Sequence, residues 1–169
     1  MRPPDREAGG AGAGASNPEE AKLQTLLQRW ADGKATLKDV RGYSDEELYA
    51  VAKTAYFFFY QGRTTEARTL FQGLYAVNPL DPYFAKALGV VELAAGNDKG
   101  ALAAYDVAIK LAPDDPSAYV GRAEVRLWQS QKAQAIEDLR RADGLAGEGD
   151  AIKRKISAML SALRADSRR

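Results

Sequence analysis

The sequence contains no cysteine and no histidine. Disulfides, thiolate nucleophiles, thiolate or imidazole metal ligands and the commonest general base are therefore all excluded. Serine, lysine and carboxylates remain, yet no nucleophile stands paired with a base, so no catalytic residue, cofactor site or metal site is expected and the chain does not read as an enzyme. An excess of charge of one sign is lacking too. With 24 Lys and Arg against 23 Asp and Glu, the net charge of +1 offers no broad footprint for nucleic acid. The basic residues Lys153, Arg154, Lys155, Arg164, Arg168 and Arg169 outnumber Asp150 and Asp166 near the end of the chain, a pattern of a solvated helix face. Long apolar runs are missing as well: each is broken by Lys, Gln, Gly or Asp, short of the ~18 residues that a transmembrane helix needs. The opening "MRPPDREAGGAGAGASNPEE" has no apolar core of a signal peptide. A cytoplasmic protein with no membrane partner is the expectation, with residues 1–17 a disordered Gly/Ala-rich segment.

What is present is a repeat. Asp81-Pro82 recurs as Asp115-Pro116, Pro79 as Pro113, Gly62 as Gly96, Ala67 as Ala101 and Ala135, and Phe71 as Tyr105 and Leu139, every step being 34 residues. A small residue, a large one four places on and a proline eight places beyond that make the tetratricopeptide pattern, two antiparallel helices per repeat. The fold class expected is all-α: a solenoid of three repeats at 48–81, 82–115 and 116–149, preceded by an N-terminal helix and connector at 18–47 and closed by a capping helix and basic tail at 150–169. The three alanines suit the close crossing of the helices of each pair. Asp81 and Asp115 suit helix caps, with Pro82 and Pro116 in the first turn. Gly62 and Gly96 suit helix ends that need positive φ. Ser130 stands where the third repeat would have its glycine.

Flanking helices are also marked. In "SNPEEAKLQTLLQRW" Asn17 caps, Pro18 enters the first turn, Glu20 can close a capping box, and Leu23, Leu26, Leu27 and Trp30 form an apolar stripe. Ser44 and Glu47 form a second capping box. Ile152, Ile156, Met159, Leu160 and Leu163 make the stripe of a terminal helix that covers the last repeat.

The stretch "AYFFFYQG" places five aromatics, Tyr56 to Tyr60, in succession before a glycine. At roughly 100° per residue they cannot all enter one core face. The repeat register assigns Phe57 and Phe58 to packing between helices. It assigns Tyr56, Phe59 and Tyr60, with Ala52, to a concave face lined by the first helix of every repeat. Tyr83, Lys86, Val90 and Leu93 continue that face in the second repeat, and Val120, Glu124, Leu127 and Trp128 in the third. The resulting groove is mostly apolar and lacks the cation and amide cluster that would clamp a carboxylate, since Ala52 and Tyr56 stand where that clamp would begin. An extended segment with apolar anchors is the expected ligand, and tyrosine hydroxyls can bond its backbone.

From about residue 35 to 163 the chain resembles the class II chaperones of bacterial type III secretion, three-repeat tetratricopeptide proteins that hold translocator subunits. The resemblance rests on "ATLKDVRGYSDEELYAVAKTAYFFFYQGRTTEARTLFQGL", with its Thr-Leu-Lys-Asp segment, acidic helix start and aromatic-x-x-Gly ending, and on "DPYFAKALGVVELAAGNDKGALAAYDVA". It implies a cytoplasmic, ATP-independent chaperone that holds one or two hydrophobic translocator subunits through an extended segment. A groove tyrosine of the family is matched by Phe59 and another groove aromatic by Tyr56, whereas two further family tyrosines are replaced by Thr64 and Ala52. The resemblance also makes the stripe of Leu23, Leu26, Leu27 and Trp30 a candidate homodimer contact, with the interior of the groove as an alternative place for that helix. A second class of function stays open beside it: a scaffold or adaptor subunit of a secretion, pilus or motility assembly, working through its convex face or N-terminal helix.

Overall fold

The computed structural model describes residues 17–166. The expectation of disorder at 1–17 lies, apart from Asn17, outside the described residues. Among the described residues the chain is helical throughout: α1 (Pro18–Ala31), α2 (Leu37–Arg41), α3 (Asp45–Tyr60), α4 (Thr64–Val77), α5 (Pro82–Ala94), α6 (Asp98–Leu111), α7 (Pro116–Trp128), α8 (Lys132–Leu145) and α9 (Ala151–Asp166). It divides into two units, Met1–Ala35 and Thr36–Arg169.

The first unit holds α1. Asn17 caps it by accepting from the Glu19 amide at 3.1 Å, and Pro18 occupies the first turn. The reciprocal bond expected from Glu20 is not formed. None of the residues of α1 is buried, and Leu23, Leu27 and Trp30 are exposed while Leu26 is half-buried.

The second unit is an all-α tetratricopeptide solenoid. Helices pair as α3 with α4, α5 with α6 and α7 with α8, and each pair also packs on the next through α4 with α5 and α6 with α7. The second helices begin at Thr64, Asp98 and Lys132, 34 residues apart. Ala67, Ala101 and Ala135 are wholly buried, as helices whose backbones approach closely require. Gly62 and Gly96 follow the first helices at φ +77° and +74°, with open space around them, so backbone conformation selects glycine there. Ser130 takes the same left-handed conformation, φ 61°, despite its Cβ.

Two buried carboxylates tie the pairs together. Glu92 of α5 accepts from Arg68 Nε at 2.9 Å, Gln72 Nε2 at 3.0 Å and Asn97 Nδ2 at 2.7 Å, joining the first pair to the second. Asp138 of α8 accepts from Arg122 Nη2 at 2.6 Å and Arg126 Nη1 at 2.8 Å, and Arg122 also reaches Asp106 of α6 at 2.6 Å. Removing Glu92 would take the paired carboxylate from Arg68, and removing Asp138 would take it from Arg126 and leave Arg122 with Asp106. At the far end Ile156 of α9 is wholly buried with Tyr119, Leu139 and Ala142, and Ile152, Met159, Leu160 and Leu163 pack around it. The terminal helix thus covers the last repeat, as its stripe predicts. Among the described residues no helix is long and apolar enough to cross a membrane.

Candidate functional site

Helix starts decide where the side chains of the inner face stand. Asp81 Oδ1 accepts from the Tyr83 amide at 2.9 Å, and Asp115 Oδ1 from the Ser117 amide at 2.8 Å, so α5 and α7 begin in the same way. The second oxygen of each cap holds a residue of the preceding first helix. Tyr49 donates its hydroxyl to Asp81 Oδ2 at 2.9 Å, and Lys86 reaches Asp115 Oδ2 at 2.5 Å. Burial acts on the Asp115 carboxyl to raise its pKa, but the bonds from Lys86 and Ser117 outweigh it and hold the group below the usual carboxylate range.

Aromatic rings cover the α3 end of this face. Tyr49 packs edge-on against Tyr83 at 5.3 Å, Tyr56 against Phe71 at 4.9 Å and against Tyr83 at 6.3 Å, and Phe59 against Tyr60 at 5.8 Å. Such pairs gain from the ring quadrupoles beyond their area. Burial first, and then the Asp81 carboxylate, pushes the Tyr49 phenol up to about 12. Burial and the neighbouring Tyr83 also push Tyr56 up, so both hydroxyls remain protonated donors.

The sequence-predicted residues separate into four groups. Tyr56, Lys86, Val90, Val120 and Glu124 meet around one cavity of about 290 Å³, together with Tyr105, Ser117, Gly121, Ile152 and Lys155. Leu93 and Trp128 line an adjoining recess of about 530 Å³ that Val90 also borders. Leu127 lines a third recess with Glu124 and Trp128. Phe59, Tyr60 and Tyr83 stand beside these in the aromatic cluster, where Tyr60 is 81% exposed, and Trp128 at the other end is 77% exposed.

Two expectations need correction. Ala52 has no exposed surface and belongs to the core with Phe71, Phe84, Ala87 and Val91, because its methyl faces the seam between the first two repeats. Phe57, assigned to packing, is 59% exposed. Core contact on α3 comes from Leu48, Ala52 and Ala55, with Tyr56, Phe58 and Phe59 packed against them; the helical turn carries position 57 to the opposite side. Phe58 does pack inward, and the Arg63 guanidinium lies 4.2 Å from its ring centre.

Residues that sequence reasoning did not assign to this face are Tyr49, Ser117, Tyr105, Ile152 and Lys155. Tyr49 and Ser117 were legible, since they occupy the same step of the repeat as Tyr83. Lys155 of α9 pairs with Glu124 of α7 at 2.5 Å, so the terminal helix reaches this face as well as covering the last repeat. On another side of the second unit, Tyr43, Leu48, Val51, Leu70, Leu74 and Val77 border an apolar recess of about 430 Å³.

A family model described as tetratricopeptide repeat matches residues 53–116. The chain is similar to the chaperone protein SicA of Salmonella typhimurium, 27% identical over 126 residues that cover 73% of this chain and 76% of SicA. Its fold is similar to that of the type III secretion translocator chaperone SycD of Yersinia enterocolitica, with a TM-score of 0.72 and 24% identity over 76% of this chain and 98% of SycD. It is similar also to SycD in complex with a peptide of the translocator YopD, with a TM-score of 0.67 and 24% identity over 73% and 97% of the two chains. The resemblance to translocator chaperones read from the sequence is borne out, and these relatives are chaperones, a non-enzymatic class.

Proposed function

We propose that the chain is a cytoplasmic, ATP-independent chaperone that holds an extended apolar segment of a secreted translocator protein in the groove along α3, α5 and α7, keeping it soluble before type III secretion. The observation that carries this reading is the exposure of Tyr60 and Trp128 at the two ends of one face lined between them by Tyr56, Val90, Leu93 and Val120. Burying a large apolar side chain is worth about 1.5–3 kcal/mol, so such a face favours a ligand with spaced apolar anchors. Its charges are already paired, Lys86 with Asp115 and Lys155 with Glu124, which leaves little attraction for an acidic peptide. One or two cargo subunits would bind in this way.

Co-expression with a hydrophobic translocator subunit gives a soluble complex on this reading, and the double substitution Phe59→Ala, Tyr60→Ala weakens that complex. Unchanged affinity in the double variant would remove the groove from the mechanism. The stripe of Leu23, Leu26, Leu27 and Trp30 on α1 is proposed as a homodimer contact, and light scattering on Leu27→Glu tests it. The apolar recess bordered by Val51, Leu70 and Val77 favours a second reading, a scaffold subunit that engages its partner away from the groove. Crosslinks from the cargo to α4 with an empty groove would select that alternative.

A further inference from the structure

Away from the groove, arginine is concentrated in one place. Arg122 and Arg126 of α7 and Arg140 and Arg141 of α8 border a recess of about 480 Å³, together with Tyr119, Glu137 and Asp138. Residues two apart on a helix point about 200° from each other, so Arg122 and Arg126 lie on the side of α7 opposite Val120 and Glu124, which line the groove cavity. The recess therefore belongs to the outer side of the third repeat.

Its four guanidiniums are of two kinds. Buried Asp138 accepts from Arg122 at Nε (3.0 Å) and Nη2 (2.6 Å) and from Arg126 Nη1 (2.8 Å), and Arg122 Nη1 also reaches Asp106 of α6. These bonds fix two half-buried side chains one turn apart, yet leave Nε and Nη2 of Arg126 uncommitted among the described residues. Arg140 and Arg141 are exposed, and among the described residues neither side chain has a hydrogen bond or ion pair. Glu137 beside them has none either. An ion network that served the fold alone would use up its charges, whereas this one leaves two cations free at the mouth of a recess whose floor is already set.

Charge, spacing and the lone carboxylate together define a ligand. Four arginines face two carboxylates in the lining, so the ligand is anionic, and guanidinium forks match carboxylates in two-point contacts. Arg122 and Arg126 stand four residues apart, about 6 Å along α7, close to the roughly 6.6 Å between alternate residues of an extended chain. Glu137 calls for a donor, which the main-chain amides of a peptide supply and a phosphodiester backbone does not. The net charge of +1 also leaves no broad field for nucleic acid. We propose that this recess binds an extended acidic segment of a protein partner, with acidic residues at alternate positions, Arg140 and Arg141 holding its carboxylates over the floor made by Arg122 and Arg126. The inference is independent of the groove reading and goes beyond it: the chain has a second binding face that stays open while the groove is filled.

The test titrates the full chain into a fluorescein-labelled peptide of about 12 residues, some 40 Å when extended, with Asp or Glu at alternate positions and Ser or Gly between them. Fluorescence polarisation is expected to show binding that weakens as salt is raised and is absent when Asn and Gln replace the acids. Arg140→Ser, Arg141→Ser is expected to weaken it at least about 10-fold through the loss of charge-assisted contacts, while the melting temperature stays unchanged because neither side chain makes an internal bond. No binding of the acidic peptide, or binding that the arginine variant leaves intact, would overturn the proposal without touching the groove. Loss of binding in Phe59→Ala, Tyr60→Ala alone would assign the peptide to the groove and overturn it too. So would a single-stranded oligonucleotide that binds more tightly than the peptide at the same salt and is lost with the two arginines.

Discussion

Gly121→Ala is expected to destabilise the protein, against the ordinary rule for helices. In the middle of α7 an alanine would gain about 1 kcal/mol over glycine from propensity alone. The added methyl would, however, lie 2.4 Å from the Tyr105 ring and 2.6 Å from its hydroxyl oxygen, where about 3.5 Å is normal contact, and the ring also runs so close to Gly89 that even a Cβ there would fall 2.9 Å from it, which leaves it little room to move. Overpacking of this kind costs about 1–3 kcal/mol, and the confinement of the ring puts it at the upper end. The balance is a net loss of about 2 kcal/mol, or roughly 4–8 °C in melting temperature for a chain of this size. Urea unfolding followed by circular dichroism measures it, with Tyr105→Leu as the second arm of a double-mutant cycle. Tyr105→Leu alone loses stability through the space it leaves, but in that background Gly121→Ala should recover its helix gain of about 1 kcal/mol. The coupling energy is then about 3 kcal/mol. A Gly121→Ala protein as stable as wild type, or a coupling near zero, would refute the passage of the ring between the two helices.

Acid should weaken the joint between the first two repeats. Burial alone would raise the Glu92 carboxyl, but bonds from Arg68, Asn97 and Gln72 hold it below its ordinary 4.5, so its contribution is complete above that pH and is lost as pH falls through the folded-state value. Urea midpoints measured between pH 6 and pH 3 should fall more steeply for wild type than for Glu92→Gln, and equal slopes would contradict the assignment. Ser130→Gly should raise stability by about 0.5–1 kcal/mol in the same assay, since it relieves a Cβ at φ 61° in a turn where the other repeats carry glycine.

The sequence made the solenoid legible because its signals are local and repeated. Asp81-Pro82 and Asp115-Pro116 mark helix starts, Gly62 and Gly96 mark helix ends, and the spacing between them leaves no other arrangement of the pairs. The face of α3 was harder to read, since a run of aromatics carries no internal contrast. Phe57 and Phe58 differ by one step of 100°, which is the difference between 59% exposure and a place under Arg63. Ala52 fitted the repeat position for the groove, but burial there depends on how close the next repeat comes, and that is set by Phe84, Ala87 and Val91. Tyr105 was read as the large residue that follows Ala101, correctly as to packing. Its reach to the other side of α5 and α7 depends on two glycines at different steps of their repeats, a coincidence in space that no single repeat displays. Lys155 was likewise visible as a charge on a solvated helix, while its pairing with Glu124 needed the path of the chain between α8 and α9.

The carboxylates at the repeat joints have a consequence for how this chain can change. As caps alone, Asp81 and Asp115 could give way to asparagine, serine or threonine at little cost. Each, however, spends one oxygen on the helix it starts and the other on Tyr49 or Lys86 of the helix before, so a hydroxyl residue would serve one neighbour and abandon the other. The groove surface is in this way fastened to the seams of the solenoid. A substitution that re-tailors the face for a new cargo at Tyr49 or Lys86 must also answer to the joint behind it, whereas Tyr60 and Trp128, which carry no such duty, are the positions free to drift.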